Sequence, residues 1–181
     1  MISARGRGRR LAVVCAVAWA VVMCGAAGSA GRAYGQTAEL KAKVEAALTP
    51  FAEELAAKPL DAGTISDLLT EYLKKNPFVY GTAFAFAPAE KDGKAVKLSP
   101  YVYRKGDQFI RKDWEVAGGE YTEAEWYAEP VKQKKPYWSK PYFDKYGGEI
   151  NMITFSVPIY TKDAEPKLIG VVTSDVPVGE K

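Results

Sequence analysis

The spacing of apolar residues changes near residue 77, and this change constrains the fold more than any other feature of the sequence. Before it, apolar side chains recur every three or four positions in two segments, as they do on the buried face of an amphipathic helix. The two apolar stripes comprise Leu40, Val44, Leu48, Phe51 and Leu55, and then Ile65, Leu68, Leu69, Tyr72 and Leu73. After it, short apolar runs between turn residues predict strands. The pattern therefore predicts helices followed by a sheet.

Proline and capping residues set the expected ends of these two helices. Pro50 interrupts the first stripe, so this helix is either kinked there or divided, with Thr49 capping a second helix that has Pro50 in its first turn. Thr64, with Asp67 three residues later, forms a capping pattern at the start of the next helix. An Asn-Pro pair at 76–77 should end that helix.

Five segments after the change are expected to be strands of one sheet. Residues 80–87 alternate between bulky residues and glycine or alanine, so the small face lets another element approach closely. Residues 100–104 and 109–113 flank a Lys-Gly-Asp turn and predict a hairpin. Residues 152–160 and 168–176 are apolar runs joined by a polar loop, which predicts a closing antiparallel pair.

A short helix is expected between the hairpin and the closing pair. A hydrophobic staple around a capping box should begin it, formed by Tyr121, Thr122, Glu125 and Trp126. Pro130 should limit its length. The expected order is thus two helices, three strands, one helix and two strands, which predicts an α+β domain built on one antiparallel sheet.

The first 35 residues have the composition of an export signal. Four arginines precede an apolar run at 11–24, and small residues follow at 25–30. We expect a signal peptide at 1–35 that is cleaved after Gly35, with cleavage after Ala30 or an uncleaved membrane anchor as alternatives. No apolar stretch after residue 35 approaches the roughly 20 residues that a spanning helix needs. The mature protein is therefore expected to be periplasmic or secreted, without a membrane span.

The absence of histidine excludes several classes of chemistry. The chain contains no histidine, and its two cysteines, Cys15 and Cys24, both lie in the export segment. The mature protein would therefore lack Ser-His-Asp and Cys-His catalytic groups, histidine or cysteine metal ligands, and disulfides. We expect no enzyme activity, no cofactor and no metal site.

The charge balance argues against a nucleic-acid partner. Five of the 25 basic residues lie in the first 35 positions, where there is no acidic residue. The remaining 20 basic residues face 22 acidic ones, so the mature protein is slightly acidic. Its net charge therefore gives no general attraction to a polyanion.

Aromatic residues concentrate in one part of the expected domain. Twelve of the 20 that follow residue 35 lie between Tyr101 and Tyr146. Rings with polar tips, next to a carboxylate such as Asp144, are what a small-ligand pocket requires. Asp175 lies in an otherwise apolar strand, where a charge must be paired or hydrogen-bonded. If both aspartates face one aromatic-walled cavity, the site favours an ammonium group. Otherwise the rings pack in the core and Asp175 caps the next turn.

Five ordered motifs lie in the expected sheet and its connections. They are Pro100-Tyr101-Val102-Tyr103-Arg104, Trp126-Tyr127 with Pro130, Trp138-Ser139-Lys140-Pro141-Tyr142-Phe143-Asp144, Met152-Ile153-Thr154-Phe155-Ser156-Val157-Pro158, and Gly170-Val171-Val172-Thr173-Ser174-Asp175. Together they resemble the Cache domain, the extracytoplasmic sensor module of bacterial receptors. The resemblance implies a single Cache domain with a PAS-like antiparallel sheet and a long amino-terminal helix. Its sensor core would be 77–178, after a helical segment at 36–76 and before a tail at 179–181.

The resemblance also implies a set of ligand-binding residues. In Cache domains that bind amino acids, a Trp-Tyr pair packs on the ligand and two aspartates hold its ammonium group. The matching positions and neighbouring aromatic residues of the same motifs are Tyr101, Tyr103, Trp126, Tyr127, Trp138, Tyr142, Asp144 and Asp175. Ala124 stands where the pattern has an arginine for the ligand carboxylate. An amine without a carboxylate, or a ligand held by Arg104 or Lys140, is therefore an equally good candidate.

The expected function is that of an exported sensor domain that binds an amine or amino-acid-like molecule. Because the sequence ends at Lys181, just after the last strand, we expect a freestanding domain that acts through a separate membrane receptor or kinase, or else a truncated receptor. Two alternatives remain open. Exposed Tyr137, Trp138 and Tyr142 could stack on sugars in a carbohydrate-binding module. The amphipathic amino-terminal helix could instead be the interface of an accessory receptor subunit.

Overall fold

The computed structural model describes residues 37–114, 117 and 119–179. The expected export segment, with Cys15 and Cys24, lies outside the described residues, as does most of the expected tail. The helices are α1 (Ala38–Ala56), α2 (Ala62–Lys75) and α3 (Glu125–Gln133), with a 3-10 turn at Tyr121–Glu123 before α3. The strands are β1 (Gly81–Phe86), β2 (Ala89–Lys91), β3 (Lys94–Val96), β4 (Pro100–Lys105), β5 (Gln108–Asp113), β6 (Tyr137–Trp138), β7 (Tyr142–Phe143), β8 (Asn151–Tyr160) and β9 (Leu168–Pro177).

The main sheet confirms the predicted α+β class with a PAS-like antiparallel sheet. Its strands lie in the order β5-β4-β1-β9-β8-β6, β7 also pairs with β8, and all pairings are antiparallel. The hairpin β4–β5 and the pair β8–β9 are those predicted from the sequence. The separate hairpin β2–β3 and the two-residue strands β6 and β7 were not predicted. The six residues of β2 and β3 are all exposed, so they lack the apolar alternation that marks a strand.

Helices α1 and α2 pack on one face of the sheet and enclose the main apolar core. Val44, Leu48 and Leu55 of α1 contact a layer that includes Phe155 and Val172 of the sheet. Each fully buried aliphatic side chain in such a layer stabilises the fold by roughly 1.5–3 kcal/mol. Among the described residues, no helix is both long enough and apolar enough to cross a membrane.

Helix α1 is continuous through Pro50, so the alternative of two helices divided at Thr49 is wrong. The Oγ1 atom of Thr37 accepts a hydrogen bond from the backbone N–H of Leu40 and caps the helix start. Proline removes one backbone hydrogen bond from a helix interior. Because Phe51 and Leu55 extend the buried stripe beyond Pro50, their packing holds the last turns in helical form.

The predicted cap of α2 is wrong by three residues. Asp61 caps this helix, since its Oδ1 accepts from the backbone N–H groups of Gly63 and Thr64. The Thr64 hydroxyl donates to the other oxygen of Asp61, and Asp67 instead pairs with Arg111 of β5. The predicted end is confirmed, because Asn76 is the C-terminal cap.

The capping box predicted for α3 is also wrong. Thr122 lies in the 3-10 turn, where its N–H donates to Glu120, and α3 begins after Ala124 without a side-chain cap. Glu125 accepts a hydrogen bond from the Tyr137 hydroxyl and does not take part in the predicted capping box. Pro130 lies inside α3 and is buried, so the prediction that it limits the helix is wrong. The helix ends after Gln133, where the next residue adopts a left-handed conformation.

Candidate functional site

The face of the sheet opposite α1 and α2 carries small, polar and aromatic residues. Strand alternation places Gly81, Ala83 and Ala85 of β1 there, beside Tyr101 of β4 and Asp175 of β9. The small residues make room for these neighbours, since a Cβ on Gly81 would lie 2.2 Å from the Tyr101 hydroxyl. The predicted close approach to the small face of this strand is therefore confirmed.

Two adjoining cavities lie between this face, α3 and the loop that follows β7. The outer pocket has a volume of about 240 Å³ and is lined by Trp114, Ala124, Glu125, Trp126, Tyr142, Phe143, Asp144, Lys145 and Tyr146. The inner chamber has a volume of about 10 Å³ and is lined by Ala83, Tyr101, Trp114, Trp126, Tyr142, Asp144, Thr173 and Asp175. Four residues line both cavities and form what we call the neck: Trp114, Trp126, Tyr142 and Asp144.

Asp144 organises the loop at the neck. Its buried carboxylate accepts hydrogen bonds from the Trp114 indole N–H (3.0 Å) and from the backbone N–H groups of Gly147 (3.0 Å) and Gly148 (2.8 Å). Gly147 must be small, because a Cβ there would lie 2.1 Å from an Asp144 oxygen. A carboxylate offers about four acceptor positions, so Asp144 keeps about one for a guest.

Asp175 is held by a short relay of hydroxyl groups. The Thr154 hydroxyl donates to Asp175 Oδ1 over 2.8 Å, and the Tyr142 hydroxyl lies 2.8 Å from Thr154 Oγ1. Because threonine has one hydroxyl proton, Tyr142 is the donor to Thr154. Burial, and then the nearby Asp144 carboxylate, raise the pKa of Asp175 to about 8. Asp175 is therefore mostly protonated in the empty protein at neutral pH.

Tyr101 brings an unsatisfied hydroxyl group to the inner chamber. Its side chain is 3% exposed, and its hydroxyl makes no hydrogen bond of ordinary geometry with the described residues, although it is close enough to Asp175 for a weak interaction that lowers the pKa of that carboxyl group. The hydroxyl lies near Asp175, since a Cβ on Gly81 would contact both groups. Burial, and then the Asp175 carboxylate, raise the pKa of Tyr101 well above its ordinary value, so this hydroxyl stays protonated. This hydroxyl therefore retains hydrogen-bonding capacity inside the chamber.

Aromatic rings form the walls of the neck and the outer pocket. Trp114 packs edge to face on Trp126 (5.7 Å between ring centroids) and on Tyr146 (5.2 Å). Sequence reasoning did not single out Trp114 or Tyr146 as site residues. A tryptophan that directly follows a predicted hairpin strand is the signal that could have identified Trp114. Aromatic walls beside a carboxylate attract a cation through charge and ring quadrupoles.

Three predicted site residues lie outside both cavities. Trp138 faces α1, where it packs on Phe155 and its indole N–H donates to Glu45, because its register with β8 places it on the helix side of the sheet. Tyr103 packs on Tyr101 (5.6 Å) without lining the chamber. Tyr127 is buried beside the neck, edge to face with Trp126. The remaining five predicted residues line one or both cavities: Tyr101, Trp126, Tyr142, Asp144 and Asp175.

Basic side chains are scarce at this site. Arg104 lies on the opposite face, where it donates to backbone carbonyls at the end of α2, so it is not available to a ligand in the pocket. Lys140 is exposed and lines neither cavity, whereas Lys145 lines the outer pocket alone. No three acidic side chains in the described ranges form a group that could hold a metal ion.

The geometry disfavours both alternative functions drawn from the sequence. A sugar platform requires a row of coplanar exposed rings. Instead, the Tyr137 hydroxyl donates to Glu125, Trp138 packs under α1, and Tyr142 hydrogen-bonds within the pocket. The apolar stripe of α1 packs on the chain's own sheet. It is therefore not free to serve as a partner interface.

Solved structures of sensor domains resemble this fold. The extracellular domain assigned to the histidine kinase soHK1S-Z6 is 30% identical, with a TM-score of 0.67, and the match covers 77% of this chain and 54% of that one. Methyl-accepting chemotaxis protein X is 22% identical, with a TM-score of 0.59 and coverage of 77% and 54%. The ligand-binding domain of the amino-acid chemoreceptor PctC from Pseudomonas aeruginosa PAO1, in complex with GABA, is 16% identical, with a TM-score of 0.53 and coverage of 77% and 56%. The chain thus spans about half the length of these proteins.

A family profile gives the assignment. None of the curated protein sequences matches the chain. Residues 65–180, more than half of the chain, match the family described as methyl-accepting chemotaxis protein-like, first PDC sensor domain. This match and the sensor-domain neighbours confirm the resemblance to Cache-type sensors inferred from the motifs. The chain belongs to the methyl-accepting chemotaxis protein-like family of first PDC sensor domains.

Proposed function

We propose that this sensor domain binds a small amine or amino-acid-like molecule, with the ligand's ammonium group in the inner chamber. The observation that carries the proposal is the buried hydroxyl of Tyr101, which makes no hydrogen bond of ordinary geometry, beside the buried carboxyl groups of Asp144 and Asp175. A neutral polar guest would leave Asp175 protonated, whereas a cation would favour its ionised form. An ammonium group supplies the opposite charge.

The chamber offers an ammonium group about as many acceptors as it has donors. An ammonium has three N–H groups. The acceptors are the remaining position on Asp144, the second oxygen of Asp175 and the Tyr101 hydroxyl. The rings of the neck would surround the adjoining carbon atom and add cation–π attraction. The GABA complex of PctC, a protein of similar fold, supports this ligand class.

Asp175→Asn is the most direct test of the ammonium site. Asparagine resembles the protonated aspartic acid of the empty protein, so the free energy of unfolding at pH 7 should not fall. Amine binding, measured by isothermal titration calorimetry, should weaken about 30-fold or more, because the variant cannot supply the charge. Asp163→Asn removes an exposed carboxylate from the loop between β8 and β9 and serves as the matched control. Unchanged binding by Asp175→Asn would contradict the proposal.

We further infer that the protein is exported by its first 35 residues and acts in the periplasm through a separate membrane receptor or kinase. The basic, apolar and small-residue order of this segment supports export. The sensor family supports a receptor or kinase partner. Amino-terminal sequencing of protein recovered from the periplasm should begin at Gln36. Recovery of the chain in the cytoplasm with Met1 intact would contradict this inference.

A further inference from the structure

The turn at residues 145–148 holds the carboxylate that narrows the neck. Asp144 directly precedes this turn, and its carboxylate accepts hydrogen bonds from the backbone N–H groups of Gly147 and Gly148 within the turn. Asp144 also lines both the inner chamber and the outer pocket. Because the chamber has a volume of about 10 Å³, the neck must widen before a guest larger than a water molecule can enter. A movement of the turn would carry Asp144 with it and would therefore change the width of the neck.

Two side chains outside the pocket tie this turn to the sheet. The Lys112 ammonium group, on β5, donates to the Gly147 carbonyl over 3.1 Å, and the Tyr80 hydroxyl, just before β1, donates to the Gly148 carbonyl over 3.1 Å. Neither Lys112 nor Tyr80 lines the inner chamber or the outer pocket. The two glycines thus hold Asp144 through their N–H groups and are themselves held through their carbonyls. The position of Asp144 therefore depends on both ties.

The backbone after the turn is in an unfavourable conformation. Glu149 has a φ angle of 57°, in the left-handed region that residues with a side chain rarely adopt. Such a conformation persists only where surrounding contacts outweigh its cost. Backbone hydrogen bonds from Glu149 to Asp144 and from Asp144 to Ile150 close the base of the turn, so its tip can move as one unit. Loss of a tie should therefore favour conformations in which the turn is open.

We propose that Lys112 and Tyr80 are positioning residues that hold the 145–148 turn, and with it Asp144, in a closed position, and that opening of this turn admits a guest to the inner chamber. The inference rests on the binding site proposed above and describes how access to that site is regulated. It adds no ligand contact and applies to any guest that must pass the neck. Lys112 contributes more than Tyr80, because its hydrogen bond is assisted by charge.

Thiol labelling measures access to the chamber without a ligand. The sequence has no cysteine after residue 35, so a single thiol can be introduced once Cys15 and Cys24 are replaced by serine. Ala83→Cys places this thiol on the wall of the inner chamber, and Ala52→Cys places it in the helix-face core; Ala83 and Ala52 are both 4% exposed. Methyl methanethiosulfonate converts an accessible thiol to a mixed disulfide with loss of methanesulfinate, and mass spectrometry gives the rate.

Lys112→Met should speed the labelling of Ala83→Cys about tenfold or more, because methionine cannot donate to the Gly147 carbonyl. Tyr80→Phe should speed it less, about fivefold, since it removes a neutral hydrogen bond. Lys112→Arg keeps a cationic donor and should stay close to the natural rate. Lys105→Met, at the opposite end of the β4–β5 hairpin, removes the same charge and should have no effect. The rate for Ala52→Cys should be the same in every variant.

Two results would overturn the inference. If Lys112→Met leaves the labelling of Ala83→Cys unchanged, access to the chamber does not depend on the turn. If it speeds the labelling of Ala83→Cys and Ala52→Cys equally, the whole domain is opening and not the turn alone. Both results leave the ammonium site standing, because that site fails only when Asp175→Asn binds amines normally. The two failures are therefore distinguishable.

Amide hydrogen exchange gives a second measurement in a pocket that keeps every natural residue, so the test does not depend on the folding of Ala83→Cys. The Gly147 and Gly148 amides donate to Asp144 in the closed turn, and opening exposes them to water. Their exchange, followed by NMR, should be about tenfold faster in Lys112→Met, whereas that of the Leu48 amide in α1 should not change. Unchanged exchange at both glycines would also overturn the inference.

Discussion

The two faces of the sheet differ in how they satisfy their polar groups. On the helix face, the aliphatic core is nearly continuous, and the buried Tyr72 hydroxyl is hydrogen-bonded to Ser174 over 2.7 Å. Outside this core, four buried hydroxyls make no hydrogen bond of ordinary geometry with the described residues, namely those of Ser99, Tyr101, Tyr127 and Ser156, and of these only Tyr101 lines one of the two cavities. The helix-face core thus satisfies its own polar group, whereas the inner chamber contains a hydroxyl, that of Tyr101, with hydrogen-bonding capacity left over.

Strand β9 contributes adjacent residues to the two faces. Val172, Ser174 and Val176 face the helices, while Thr173 and Asp175 face the pocket. The helix side of this strand therefore supports the fold, and the pocket side places a carboxylate where water is excluded. Burying this carboxyl group costs free energy even though the Thr154 hydroxyl donates to it, and the apolar neighbours on the helix side help to offset that cost.

Leu48→Ala should have the largest effect on stability, because it opens a cavity in the helix-face core. Leu48 is fully buried, and such truncations cost about 2–5 kcal/mol in the free energy of unfolding. Phe143→Ala removes a larger side chain at the mouth of the outer pocket, where 57% of it is exposed, and should change stability by less than about 0.5 kcal/mol. Urea denaturation measures both. Equal losses of unfolding free energy in the two variants would contradict the conclusion that the helix-face core stabilises the fold more than the outer pocket does.

Asp144→Asn should have the next largest effect, and it tests the one pocket-face group that also supports the fold. An asparagine cannot accept all three hydrogen bonds that the carboxylate receives from Trp114, Gly147 and Gly148. We expect a loss of about 1–3 kcal/mol in the free energy of unfolding, measured by urea denaturation. Asp163→Asn, on an exposed loop, should leave it unchanged. An unaltered stability of Asp144→Asn would show that the loop does not depend on this carboxylate.

The sequence predicts the helices and the main strand pairs because their signals are local. The apolar stripe of α1, the hairpin β4–β5 and the pair β8–β9 can each be read from a single window of residues. Helix caps are less certain, because neighbouring residues of the same chemistry compete. Asp61 and Thr64 can both cap a helix, and only the backbone geometry at Asp61 selects it.

The site depends on contacts between distant residues, so less of it could be predicted. Trp114 and Asp144 are 30 residues apart and meet only in the folded chain. Trp138 belongs to a motif near the pocket, yet its pairing with Phe155 turns it towards α1. The motif also could not show that the loop around Gly147 occupies most of the Asp144 carboxylate. This role depends on the turn geometry of that loop.

Asp175 should give the pocket face a pH dependence that the helix face lacks. Its pKa is raised from 3.8 to about 8, so between these values the folded protein keeps a proton that the unfolded chain has lost. The stabilising effect is complete below about pH 4 and is lost as the pH rises towards 8. The free energy of unfolding should therefore fall by about 1.4 kcal/mol per pH unit in this range through Asp175 alone.

Asp175→Asn isolates this dependence from that of other groups. The hydroxyls of Tyr101 and Tyr142, which adjoin Asp175, have raised pKa values and stay neutral throughout. Urea denaturation of both proteins between about pH 5 and pH 8 should show the natural protein losing stability relative to the variant as the pH rises. Parallel curves would mean that the carboxyl group of Asp175 titrates normally.

A pair of tyrosine substitutions should give the smallest effects and the sharpest comparison of the two faces. Tyr72→Phe removes the hydroxyl that is hydrogen-bonded to Ser174, so it should cost about 1 kcal/mol in the free energy of unfolding. Tyr101→Phe removes a buried hydroxyl that makes no hydrogen bond of ordinary geometry, so stability should change less than in Tyr72→Phe. Amine affinity, measured by calorimetry, should fall in Tyr101→Phe and stay unchanged in Tyr72→Phe, because Tyr101 lines the chamber and Tyr72 does not. Suppose instead that Tyr101→Phe loses as much stability as Tyr72→Phe and binds amines with unchanged affinity. The Tyr101 hydroxyl would then contribute to the fold and not to ligand binding.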